Sequence, residues 1–224
     1  MKFDRIVAIT APEYGRQPEL RLCPDQYVGR LSQVINQSDF PFRAAVNERP
    51  NSPCMIMVME SPHRDEFIGD PGPAKGDTGK YLRLHLTAAI DCTTRQDMGL
   101  ILVNSIQYQC SLGESTKLYR DKIFHAVCAN GGREEFMGRL LSTFEPGDSL
   151  MNCCTKGNNF RVHSSLRHLV ETAIREALTN VKTIRRMHPS SWWRPIRRRQ
   201  EWCYQPSLMP EGSPNAVTRG SLRC

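Results

Sequence analysis

No stretch of this 224-residue chain approaches the roughly 20 apolar residues that a membrane-spanning helix needs. The N-terminal run MKFDRIVAIT carries charges inside its apolar residues, unlike the uninterrupted core of a secretory signal. A soluble, cytoplasmic protein is the expectation. No C-x-x-C occurs among the nine cysteines, Cys23, Cys54, Cys92, Cys110, Cys128, Cys153, Cys154, Cys203 and Cys224. Their odd number and scattered spacing argue against a disulfide framework, and no local zinc or iron–sulfur signature is present. Reduced thiols, with no metal and no cofactor, are expected. Internal repeats are missing too. The stretch Gly72–Lys80 superficially resembles a phosphate loop, but Ala74 stands where the first glycine belongs and Tyr81 follows the lysine. Nucleotide hydrolysis is therefore disfavoured.

What is present begins with size and charge. The length suits one domain, residues 1–193, followed by a basic, Pro- and Ser-rich extension over 194–224. A formal charge of +7 favours polyanionic partners. Much of that excess is local: Lys182, Arg185, Arg186, Arg194, Arg197, Arg198 and Arg199 crowd one late segment.

The most telling stretch is Met55–Glu66, MIMVMESPHRDE. Met, Ile and Val in a short continuous run suit a strand buried on both faces. Ser61-Pro62 stops it, since proline cannot donate to a ladder and restricts the residue before it. The run Gly99–Asn104 predicts a second buried strand, Ser149–Cys154 a third and Val181–Met187 a fourth. Helices are expected from Asp77-Thr78 through Ile90, over Lys117–Ala129, over Arg133–Phe144 and over Phe160–Leu178. Another is expected across Tyr27–Leu31 and Val34-Ile35. Strands alternating with helices predict an α/β fold, a three-layer α/β/α sandwich around a mostly parallel, four-stranded sheet. The carboxyl ends of parallel strands share one edge, where ligands bind in open sheets. Glu60, Asn104 and His188 stand at or just past three of those ends and should converge there.

Each residue alone has a bland reading: a solvated acid, a turn-capping amide, an ordinary His-Pro turn. Together, Glu60-Ser61-Pro62-His63, Leu102-Val103-Asn104 and His188-Pro189-Ser190-Ser191 resemble, in order, the three motifs of the uracil-DNA glycosylase superfamily. The resemblance spans about Met55 to Trp193. Gly69, Gly76 and Gly79, with Asp65-Glu66, are similar to one branch of it. Ser61 stands where another branch has its water-activating aspartate, and Asp70–Ala74 holds no aromatic where a stacking ring is usual. The four-cysteine cluster pattern of the first branch is not evident.

What the resemblance implies is a monofunctional DNA N-glycosylase acting on a base flipped out of DNA, with an abasic site as product. Glu60 is then first choice to stabilise the sugar cation and position water, with Asp65 and Glu66 in reserve. Ser61, His63 and Asn104 would bind the base, and His188 would stabilise the departing base. Ser190, Ser191, Trp192, Arg194, Arg197 and Arg198 would contact DNA. The missing ring suggests a bulky modified base, such as glucosylated 5-hydroxymethylcytosine in phage DNA. Uracil excision in repair and a non-catalytic DNA-binding module are the alternatives. A lysine Schiff base on Lys75 or Lys80 is a further conceivable chemistry. No membrane and no obligate protein partner are implied.

Overall fold

In a computed structural model of the protein, residues 2–90, 98–158 and 164–204 are described. The elements in order are α1 (Phe3–Thr10), β1 (Gln26–Arg30), α2 (Leu31–Val34), β2 (Ala44–Ala45), β3 (Cys54–Met59), α3 (Asp77–Ala89), β4 (Gly99–Asn104), α4 (Arg120–Val127), α5 (Arg133–Thr143), β5 (Ser149–Asn152), α6 (Leu166–Ala177), β6 (Thr183–Arg185) and α7 (Pro195–Arg198). The strands form one mixed six-stranded sheet in the order β2-β1-β4-β3-β5-β6.

The four predicted strands are the parallel part, β4-β3-β5-β6. Their register puts Met59 beside Asn104 and Val58 beside Asn152. The sheet is nevertheless larger than four strands. Antiparallel β1 and β2 extend its β4 edge, and the helix expected from Tyr27 is a strand that gives way to one helical turn at Leu31. The reason is local. The pairing of β1 with β4 is irregular between Tyr27 and Gly29. Gly29 has φ +120°, and a Cβ there would come within 2.6 Å of Pro41 Cγ. A bulge at a glycine breaks the alternation by which a short strand is recognised.

Side chains leave β3 and β4 alternately to the two faces, and all twelve positions are buried. Ile56, Val58, Ile101 and Val103 join one core with apolar residues of α1, α4, α5 and α6. Met55, Met57, Met59, Leu100 and Leu102 join the other, with Leu31, Val34, Leu82, Leu86 and Trp192. Helices thus cover both faces, as a sheet with near-continuous apolar strands requires. Among the described residues, no helix is long and apolar enough to cross a membrane.

Strands β5 and β6 are shorter than expected, ending at Asn152 and Arg185. Helix α6 begins at Leu166; the start expected at Phe160 lies outside the described residues, as do residues 205–224 of the extension. The described part of that extension packs on the body. Trp202 is buried and donates its indole N–H to Arg186 O at 3.1 Å, and Tyr204 meets Thr172 Oγ1 at 2.9 Å.

Candidate active site

The carboxyl edge of the parallel strands opens into a cavity of about 440 Å³. That volume is typical of small-molecule sites. Glu60, Asn104 and His188 all line it, together with Ser61, His63, Asp65, Glu66, Ser190 and Ser191. Three strand ends therefore bring an acid, an amide and an imidazole to one place.

Glu60 directly follows β3. Its backbone carbonyl accepts hydrogen bonds from Ile106 N at 3.0 Å and Ser105 Oγ at 2.8 Å, which pin it to the chain leaving β4. Its carboxylate is buried and has three neighbours. Thr155 N–H donates to Oε2 at 3.2 Å, Arg120 Nη1 lies 3.7 Å from Oε1, and His188 Nε2 lies 3.5 Å from Oε2. Arg120 is held in turn by Asp121, at 3.0 Å from its Nε.

His188 ends the segment leaving β6. Ser190 N–H donates to its Nδ1 at 3.3 Å, closing the turn Pro189–Ser191. A neutral ring that accepts at Nδ1 carries its proton at Nε2, the nitrogen facing Glu60. Burial holds the imidazole below its ordinary pKa, against the opposing pull of Glu60. The neutral, Nε2-protonated ring is thus the form presented to the cavity near pH 7.

Asn104 ends β4 and is 2% exposed. Its register beside Met59 directs it to the α3 side of the sheet, whereas Glu60 follows on the α4 side. The amide nitrogen donates to Glu66 Oε2 at 3.1 Å and approaches Cys23 Sγ at 3.5 Å. Cys23 donates to the same carboxyl oxygen at 3.7 Å. Burial, with a smaller push from Glu60, raises the Glu66 pKa to about 7. The bond from Asn104 acts the other way without reversing it. The Cys23 thiol is pushed up as well, chiefly by burial and then by Glu66, so it stays protonated. A Cβ on Gly79 would collide with Ala74 O at 1.8 Å. That glycine lets the first turn of α3 press on the loop whose Ala74 amide also supports Glu66.

The remaining expected site residues divide. Ser61 hydrogen-bonds the buried Cys110 thiol. Asp65 is partly exposed at the cavity mouth, 3.2 Å from His63 Nδ1. Ser190 Oγ meets His188 Nδ1 at 2.8 Å, and Ser191 Oγ donates to His188 O at 2.8 Å. Trp192 corrects the expectation placed on it. It is fully buried against the α3 side, and its indole N–H donates to Met187 O at 2.8 Å. A side chain so enclosed anchors the His-Pro turn and does not reach DNA. Its neighbour Trp193 is exposed, with the Arg194 guanidinium 4.5 Å above its ring. Arg197 bonds Gln200 at 2.7 Å and Arg198 bonds Trp192 O at 2.8 Å, so both have partners within the chain.

Four contributors were not anticipated. Arg120, Thr155, Lys156 and Arg167 complete the wall beside Glu60. Adjacent opposite charges at Arg120-Asp121, near the start of a helix, were the one available signal. Among the described residues, no group of three or more His, Cys, Asp or Glu side chains could hold a metal ion. Among the described residues, no Phe, Tyr or Trp lines the cavity; its larger apolar walls are Met59 and Met187. No family model matches the chain, and neither a curated protein nor a solved structure matches it.

Proposed function

We propose that this chain is a DNA N-glycosylase with a uracil-DNA glycosylase-like core, acting on a bulky modified base. The observation that carries the reading is the meeting of Glu60, Asn104 and His188, from three strand ends, around one cavity. Breaking an N-glycosidic bond leaves positive charge on the sugar and negative charge on the departing base. The Glu60 carboxylate is suited to the first, and to orienting the water that adds to C1′. The base leaves with the bonding electrons as an anion; the adding water gives its proton to Glu60, and solvent protonates the released base. The Nε2–H of neutral His188 is suited to the second, as an electrostatic donor that need not transfer a proton. Asn104, the most buried of the three, is suited to reading a base edge.

Two further features support DNA as substrate. Arg120, Lys156 and Arg167 give the wall beside Glu60 a cationic character fit for the phosphates of a flipped nucleotide. Arg194 and Trp193 project from the turn that follows His188. The bulky-base part rests on the cavity lining. Among the described residues no Phe, Tyr or Trp lines it, and methionine walls adapt to irregular shapes.

The test is incubation of the protein with phage DNA containing glucosylated 5-hydroxymethylcytosine and, separately, with uracil-containing DNA. Alkali-labile sites in the first are expected. Sites only in the second would remove the bulky-base reading, and sites in neither would leave a DNA-binding module.

A further inference from the structure

We propose that Glu66 is the positioning residue that sets base specificity, by fixing which end of the Asn104 amide faces the cavity. The inference rests on the glycosylase reading and names the base edge that the site takes.

Asn104 Nδ2 has two hydrogens, and two acceptors surround it: Glu66 Oε2 at 3.1 Å and Cys23 Sγ at 3.5 Å. Both acceptors are buried, and Glu66 also lines the cavity. With both hydrogens directed at these acceptors, the amide oxygen is the end left for a ligand, and it makes no hydrogen bond to the described residues. An acceptor reads a donor. The site therefore suits a pyrimidine with an exocyclic amino group, of the cytosine class, over one whose carbonyl occupies that position. Substitution at C5, including a glycosylated one, leaves that amino group in place.

The arrangement depends on Glu66 being ionised. Protonated Glu66 becomes a donor, to which the amide oxygen turns; the amide NH2 then faces the cavity and suits a carbonyl. Among the described residues, the groups facing Glu66 are few. Asn104 and Cys23 touch it, Glu60 opposes its ionisation from the end of β3, and Arg43 acts on it from beyond contact distance. The value of about 7 places the exchange in an accessible range.

The test titrates cytosine and uracil, as free bases, into the full chain from pH 5.5 to 8.5. It follows binding together with the Asn104 side-chain NH2 resonances. The ratio of cytosine to uracil affinity should rise about tenfold through pH 7, the scale of one hydrogen bond matched or mismatched. The Asn104 resonances should move with the same midpoint. In Glu66→Gln both pH dependences should vanish. A wild-type ratio that is flat with pH overturns the inference whatever the variant does, and so does the absence of binding by either base. Selective, pH-dependent binding without cleavage of any DNA would keep this assignment and remove the glycosylase reading.

Discussion

Two buried glutamates stand at one cavity, and their surroundings differ in kind. Glu60 has a guanidinium, an imidazole and a backbone N–H around its carboxylate. Glu66 has an amide, a thiol and a backbone N–H, with no cation in ion-pair contact among the described residues. Burial without a counter-charge raises a carboxyl pKa, and for Glu66 it does so to about 7. Carboxyl groups placed in such different settings take different work. On the proposed glycosylase reading, Glu60 would face the developing cation and Glu66 would orient a neighbour.

The sharpest way to break this comparison is to neutralise each acid in turn. Glu60→Gln should reduce base release by a hundredfold to a thousandfold, with DNA affinity retained, as for loss of a well-placed electrostatic group. Glu66→Gln should lose less than about tenfold at its best pH, because it touches the base only through Asn104. Single-turnover rates on one DNA decide between them; equal losses would erase the distinction.

Next comes stability. Glu66 has a folded-state pKa raised from 4.5 to about 7. Its protonated form therefore favours the fold. That contribution is complete below about pH 4.5 and is lost as pH rises through about 7. By linkage it amounts to up to about 3 kcal/mol. Denaturant unfolding should show Glu66→Gln gaining on the wild type across that interval, and a constant difference would contradict the assignment.

A smaller effect belongs to His188. Its pKa is held below 6.5 by burial, so the acid limb of the rate profile should fall below pH 6.5. His188→Gln, which retains an N–H donor, should lose about tenfold and flatten that limb. The smallest effect is expected at the surface. Arg194→Ala should weaken DNA binding a few-fold and make its salt dependence shallower by about one unit of slope. An unchanged slope would remove Arg194 from the phosphate contacts.

What could be read from the residues follows from which physics is local. The CMIMVM and GLILVN runs are buried on both faces and announce themselves as central strands. Parallel strands share an edge, so placing Glu60 and Asn104 together needed no coordinates. The edge strands were illegible because β1 is broken by a bulge at Gly29 and β2 is two residues long. Trp192 shows the other limit. A tryptophan after a His-Pro turn and before a basic run suits either a DNA wedge or a core anchor, and only packing against α3 decides. Glu66 was visible as a reserve acid. Its link to Asn104 depends on how the Arg64–Phe67 turn folds back over the end of β4, which no spacing in the sequence records.

The most direct measurement is mass spectrometry of the small molecules freed when wild-type protein acts on DNA bearing the modified cytosine, with abasic sites counted in the same reaction. One intact base released per abasic site, and neither formed by Glu60→Gln, is the predicted result. DNA that binds the protein yet yields no free base at any pH would contradict the account.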